Sequence, residues 1–282
     1  MKYKISIVVT SLLILTSCAK NEDVAYYRPN IANNSSHATV SKILEYNPAP
    51  GQYVNTETFS TQAKALSIGY DSTFSHIVTL GAWGGAITFK FDHSVENLDG
   101  SDLGIYGNAP SSYNFDEPGV VMVSQDVNNN GIADDEWYEL AGSQYDSAST
   151  IHNYKVTYYN QGDGKSATWK DNQGKSGIIY VDQYGYGASN PYPIAGTNVD
   201  ISKFKDSISF EGSLLRKTFG LDPTTGYSQN DVHSLGWWGY CDSYSSGFGP
   251  ALMDNYKANG YNSFDISWAR DKNGNKVNLQ YV

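Results

Sequence analysis

From residue 74 to the C-terminus, apolar side chains recur at every second position in short runs separated by Gly, Asn, Asp and Pro. That is the pattern of half-buried strands. Phe74, His76, Val78 and Leu80 alternate with polar or smaller residues, Gly84-Gly85 turns the chain, and Ile87, Phe89 and Phe91 return, predicting an antiparallel pair. Residues 103–106 form a short strand. Residues 120–123 are apolar on both parities, as in a strand covered on both faces, and residues 136–140 then place Trp137 and Glu139 opposite Tyr138 and Leu140. Tyr154, Val156 and Tyr158 alternate up to the turn at 161–164, and 167–170 returns, predicting a hairpin at a sheet edge. Strands follow at 177–181 and 207–210. Phe264, Ile266 and Trp268 read as a closing strand, with a last one after the turn at 272–275.

Only residues 251–257 look helical, and no stretch after residue 18 is long and apolar enough to span a bilayer. No repeat of fixed period is present. Many short strands with long loops predict an all-β fold, a β-sandwich of jelly-roll type. The composition agrees: 23 Tyr, 27 Gly and only 17% charged residues suit sheets with long loops better than a helical bundle.

The first residues stand apart. Lys2 and Lys4 precede an apolar run at 5–16, and Leu15-Thr16-Ser17-Cys18 ends it, which resembles a bacterial lipobox. This predicts a signal peptide at 1–17 and lipidation of Cys18. Lys20, Glu22 and Asp23 follow and resemble the surface-export signal of Bacteroidota lipoproteins, implying an outer-membrane anchor and exposure on the cell surface. Residues 18–50, with Asn33-Asn34-Ser35-Ser36 and Pro48-Ala49-Pro50, read as a tether, leaving 51–282 as the folded domain. A net charge of −10 makes nucleic acid and anionic lipid poor partners, so contact with membrane is expected through the anchor alone. With Cys18 lipidated, Cys241 has no disulfide partner and reads as a small packed residue.

Two stretches carry candidate chemistry. In 126–134, Asp126, Asn128 and Asn130 stand at positions 1, 3 and 5 of a calcium-type loop, Gly131 at 6, the Ile132 carbonyl at 7 and Asp134 at 9. Trp137 occupies position 12, where an EF-hand needs a bidentate Glu, so an EF-hand is excluded. A structural Ca2+ closed by a strand, with Glu136 near the end of the loop, remains the expectation. The alternative is a hairpin connection whose acids are solvated. Glu136 and Glu139 are three apart and face opposite sides of a strand, which is a poor acid/base pair for glycoside cleavage. The histidines lack metal spacing, and no nucleophile elbow or phosphate loop occurs.

The second stretch is 233–240, where Trp237, Trp238 and Tyr240 lie among glycines, with Trp83 in Gly81-Ala82-Trp83-Gly84-Gly85 as a partner. Glycines beside indoles leave ring faces open to flat ligands or sugars. Trp83, Tyr184, Tyr186, Tyr192, Trp237, Trp238 and Tyr240 are therefore the candidate ligand contacts, with at most one of the adjacent tryptophans facing the core.

The segments Glu117-Pro118-Gly119-Val120-Val121-Met122-Val123-Ser124, Asp135-Glu136-Trp137-Tyr138-Glu139-Leu140-Ala141-Gly142 and Phe264-Asp265-Ile266-Ser267-Trp268-Ala269 together resemble a family of Bacteroidota outer-surface lipoproteins, known as cell surface proteins. Some of its members are associated with TonB-dependent uptake loci for corrinoids (vitamin B12). The resemblance spans roughly 65–282 and implies surface display, capture of a corrinoid for a TonB-dependent outer-membrane transporter, and no catalytic residues. A glycan is the competing ligand. A glycan-active enzyme and a structural or adhesion module are the competing classes.

Overall fold

The computed structural model describes residues 26–51, 53–55, 78–107, 109, 116–181, 191–193, 205–217, 219–222, 226–229, 237–245, 247 and 253–282. Its strands are β1 (Lys42–Asn47), β2 (Ala86–Lys90), β3 (Leu103–Ile105), β4 (Met122–Ser124), β5 (Trp137–Leu140), β6 (Ile151–Tyr159), β7 (Ala167–Asp171), β8 (Ser176–Ile179), β9 (Ser207–Leu214), β10 (Phe219–Asp222), β11 (Gly226–Gln229), β12 (Asn262–Phe264) and β13 (Ala269–Arg270). All described pairings are antiparallel, and the architecture is all-β and consistent with a sandwich. No described helix is long and apolar enough to cross a membrane.

The largest described sheet has the order β8-β7-β6-β9. Tyr154, Val156 and Tyr158 of β6 point inward with Ala167 and Ile208, and Trp83, Trp169, Ile179 and Phe210 pack around them. The β6–β7 hairpin lies in the middle of this sheet, since β8 and β9 cover its two free sides, which corrects its expected place at an edge. The second cluster joins Val123, Leu140, Phe264, Ile266, Trp268, Ala269 and Leu279, bringing the three-stranded sheet β13-β5-β4 together with the β12–β3 pair. Each such aliphatic or aromatic side chain contributes about 1.5–3 kcal/mol when fully buried.

Five further expectations are corrected. The tether does not extend to residue 50: β1 pairs with β2, Ile43, Tyr46 and Ala49 are buried, and Pro48 and Pro50 are among the most enclosed residues. A register shift between Ile43 and Glu45 adds a residue to β1, so Ile43 and Tyr46 share a face at a spacing of three and the alternation is hidden. Further upstream, Asn30 and Tyr27 bond Ser94, and His37 bonds Asp92, so the described fold reaches back to Tyr27. The partner of β2 is thus β1. Residues 78–80 carry no strand, and Phe74 and His76 lie outside the described residues.

The strand at 120–123 is covered on both faces only in part: Val121 and Val123 pack into the second cluster and Val120 against Trp237 and Tyr240, whereas Met122 is 44% exposed. The closing strand breaks after Phe264, because the Asp265 carboxylate accepts the Ser267 N–H at 2.7 Å and starts one 3-10 turn, Ile266–Trp268. The helix is shorter and later than expected: α1, Tyr256–Asn259, is capped by Asn255 and closed by left-handed Gly260.

Candidate functional site

Two of the three segments that carried the family resemblance, 135–142 and 264–269, meet at one cleft. Ala141 and Gly142 at the end of β5, Trp268 at the end of the 3-10 turn and Arg270 on β13 line it, together with Ser143, Tyr145, Asp146, Trp238, Ser267 and Lys276. Its volume is 290 Å3. The register that pairs Ala269 with Leu140 and Arg270 with Glu139 sets one wall, and a backbone bridge between Arg270 and Lys276 brings the lysine alongside.

The other wall is the segment 237–240, which is fastened to the loop after β5. The Trp238 N–H donates to Ser143 Oγ at 3.0 Å, and the Ser143 N–H returns a bond to the Trp238 carbonyl at 3.0 Å. The Gln144 N–H donates to the Tyr240 hydroxyl at 3.1 Å. The two backbones touch at Gly142 and Gly239: a Cβ on Gly142 would sit 2.7 Å from the Trp238 carbonyl oxygen, and Gly239 has φ +78°. Glycine is required at both positions. Behind them Asp254, fully buried, accepts from the Gly239 N–H at 3.1 Å, Ser245 Oγ at 2.7 Å, Asn262 Nδ2 at 3.2 Å and the Ser263 N–H at 3.3 Å. Burial raises the carboxyl of Asp254 above the ordinary range against the pull of these bonds. Trp238 thereby meets Trp268 edge to face, centroids 4.9 Å apart at 62°.

Beneath the cleft runs a stack of three groups. The Arg270 guanidinium lies 5.9 Å above the Tyr145 ring, whose centroid is 4.5 Å from that of His152. His152 Nε2 bonds the Tyr145 carbonyl at 3.0 Å and Nδ1 meets Ser213 Oγ at 2.9 Å, while Ser213 Oγ reaches Glu139 Oε2 at 2.6 Å. A carbonyl only accepts, so Nε2 carries a proton. The single hydroxyl proton of Ser213 then permits two arrangements: carboxylate with imidazolium, or carboxylic acid with neutral imidazole. Burial raises the Glu139 carboxyl, opposed by the Ser213 bond and the charge of His152, and Oε1 is buried without a partner. Serine stands between the acid and the histidine here, whereas a catalytic triad places the histidine in the middle.

A second groove of 580 Å3, lined by Asn97, Leu98, Asp99, Asp265, Ser267, Asn278, Leu279 and Gln280, shares Ser267 with the aromatic cleft. Asp265, which caps the 3-10 turn, contributes to its wall.

Of the residues expected to touch a ligand, Trp238 lines the cleft. Tyr192, Trp237 and Tyr240 are withdrawn by burial, at 1%, 2% and 0% exposure. Tyr192 joins the core beneath β6, and Trp237 packs on Tyr240 with Arg216 over its outer side. Trp83 belongs to the same core as Tyr192: its ring meets Tyr154 at 4.7 Å and 87°, and its Nε1 donates to the Ser213 carbonyl. Tyr184, Tyr186 and the lipidation site Cys18 lie outside the described residues. Arg270, Lys276, Tyr145 and Trp268 line the same cleft and were not among the expected contacts. Arg270 alone carried a signal, being one of three arginines in the chain and adjoining a resemblance motif.

The calcium-type loop is folded on its own oxygens. Asp126 accepts from the Asn130 and Gly131 N–H groups at 3.0 and 2.9 Å, Asn128 Oδ1 from the Asn130 N–H at 2.9 Å, and Asn130 Oδ1 from the Ile132 N–H at 2.7 Å. Asn130 turns its amide nitrogen to Asp134, at 3.1 Å, and Glu136 accepts from the Tyr138 hydroxyl at 3.2 Å. Among the described residues no group of three or more His, Cys, Asp or Glu side chains is arranged to hold a metal ion. The fit to calcium is partial: Asp126, Asn128 and the Ile132 carbonyl suit it, and Asn130 must turn over to offer oxygen. Lys90 on β2 brings an ammonium near Gly131, a second source of neutralising charge. The Cys241 thiol is pushed up to about 12 by burial and by the charge of Asp242, so it is no nucleophile at neutral pH.

Compared with known proteins, the chain matches no protein-family model, and no curated protein is similar enough to serve as a relative.

Proposed function

We propose that this chain is a lipid-anchored, non-catalytic protein of the cell surface that captures a small nutrient ligand, a corrinoid in the first place, for a TonB-dependent outer-membrane transporter. The observation that carries ligand capture is the cleft itself: two indoles, two cations and two serine hydroxyls meet on walls fastened by the reciprocal bonds between Trp238 and Ser143, a preorganised site. Corrinoid, anchor and transporter rest on the sequence resemblances. The described fold reaches back to Tyr27, so at most eight residues separate Cys18 from it, a reach of at most about 30 Å. So short a tether would keep the cleft close to a transporter in the same membrane.

A glycan is the second reading, and the polar groove beside the cleft favours it, since Asn97, Asn278 and Gln280 offer amides in both hydrogen-bonding senses. Calorimetry on residues 19–282 with cobalamin and with a panel of glycans separates the two. Heat with cobalamin that disappears in Trp238→Ala is the expected result. Silence with every corrinoid removes the first reading, and heat with a glycan alone installs the second.

A further inference from the structure

Arg270 is a cation without a counter-ion. No carboxylate lies within ion-pair distance of it among the described residues, and its Nη1 is buried with no hydrogen-bond partner. Glu139, directly across the β5–β13 ladder, turns its carboxyl to Ser213 instead. Asp271, next in sequence, has its oxygens engaged by the Asn273 and Asn275 N–H groups and by Asn275 Nδ2. Among the described residues only the face of Tyr145 compensates the guanidinium, and a cation over a ring recovers far less than a paired carboxylate does. Lys276, on the same cleft, also has no carboxylate within ion-pair distance among the described residues.

The polar groups facing the cleft are mostly donors. Ser143 Oγ accepts from the Trp238 N–H, which leaves its own hydroxyl proton to give, and Ser267 Oγ likewise has a proton to offer. Asp146 is the one acid on the lining. A partly buried guanidinium left unpaired is costly unless something anionic completes it, and the exposed Lys276 adds a second positive charge at the mouth of the same cleft. Next to it, the edge-to-face indoles offer an apolar wall sized for a single ring system.

We propose that the cleft binds a ring-bearing anion: a carboxylate or phosphate held by Arg270 and Lys276 with hydroxyl bonds from Ser143 and Ser267, and its ring laid against Trp238 and Trp268. The inference rests on ligand capture at this cleft and narrows what is captured. At 290 Å3 the cleft takes one anionic, ring-bearing appendage of a ligand and not a whole macrocycle. The overall charge of −10 opposes anions at long range, so recognition depends on close contact, and the salt dependence of binding is set by these two cations.

The test is calorimetry on residues 19–282 with phenyl phosphate, inorganic phosphate and phenol. Phenyl phosphate is expected to bind at least tenfold more tightly than either fragment. Arg270→Met should weaken it tenfold or more, Lys276→Met several-fold, and Arg270→Lys less than Arg270→Met, with Lys170→Met, a distant exposed lysine, as the unchanged control. Denaturant melts of each variant show that it is folded before binding is compared. Equal binding of phenol and phenyl phosphate, or an Arg270→Met protein with unaltered affinity, overturns the inference. Cobalamin, with its phosphodiester and aromatic base, and cobinamide, which lacks both, separate this inference from corrinoid capture. Equal binding of the two keeps capture and removes the anion contact, whereas binding of phenyl phosphate but of neither corrinoid keeps the anion contact and removes the corrinoid.

Discussion

Replacing Asp254 tests whether the cleft wall is held from behind by one buried carboxylate. Oδ1 takes Ser245 Oγ, Asn262 Nδ2 and the Ser263 N–H, and Oδ2 takes the Gly239 N–H, all at 0% exposure of the acid. In Asp254→Ala the serine hydroxyl can rotate away, but the two backbone donors and the Asn262 amide are fixed. Each buried donor left without an acceptor costs about 1–3 kcal/mol, so the variant should lose at least about 3 kcal/mol. That is a large share of the roughly 5–15 kcal/mol that holds a domain folded. Asp254→Asn keeps the shape: its oxygen can stay at the Oδ1 position, and only the Gly239 N–H then faces a donor, for a loss of about 1–3 kcal/mol. Urea melts followed by tryptophan fluorescence give both values, with unchanged slopes showing that the same surface is exposed on unfolding. Because Gly239 sits between Trp238 and Tyr240, Asp254→Asn should also weaken phenyl phosphate binding under conditions where the protein is folded. Ile208→Ala, in the other core cluster, should cost about 2–5 kcal/mol and leave binding alone. An Asp254→Ala protein within 1 kcal/mol of the wild type, or an Asn variant worse than Ala, would refute the account.

Glu139→Gln should change the pH dependence of stability in a known direction. Burial raises the carboxyl in the folded state, so its contribution is fully present below the unfolded value of about 4.3 and is lost as pH rises through the folded value. Glutamine imitates the protonated acid, so the two proteins should melt alike near pH 4 and the variant should melt higher near pH 8. A difference that shrinks with rising pH would show the sign to be wrong. For the loop at 126–134, millimolar calcium should raise the melting temperature, and Asp126→Ala should abolish the rise. A wild-type melting temperature indifferent to both EDTA and calcium would remove the metal.

Strands whose alternation is local were legible: β6 with Tyr154, Val156 and Tyr158, and β5 with Leu140, lie where period two puts them. Position within a sheet was not, because it depends on partners distant in sequence. The β6–β7 hairpin becomes central only once β9, some fifty residues on, pairs along β6. β1 was hidden for a different reason: a bulge breaks its parity, and its flanking Pro and Asn residues imitate a linker while Pro48 and Pro50 pack in the interior. Composition measures polarity along the chain, and a proline is as well suited to filling a turn inside as to stiffening a tether outside.

The cleft follows the same logic at the scale of single side chains. Aromatic rings signal contact area, and the sequence marked Trp237, Trp238 and Tyr240 alike, yet burial sorts Trp237 and Tyr240 into the interior and leaves Trp238 on the lining, edge to face with the largely buried Trp268. What makes this spot differ from a core is charge, and the charge comes from Arg270 and Lys276, which follow the Trp268 motif and are brought to Trp238 through the β5–β13 ladder and the Gly142–Gly239 contact. Among the described residues neither cation has a carboxylate partner, and a fold selected for stability alone would have little reason to leave a guanidinium half-buried and unpaired when Glu139 stands opposite it. The carboxyl that would neutralise Arg270 instead takes the Ser213 hydroxyl on Oε2, with Oε1 left buried and unpartnered. An arrangement that keeps a nearby acid away from a cation preserves that cation for a ligand, and this separation is the strongest structural reason to look for an anion in the cleft.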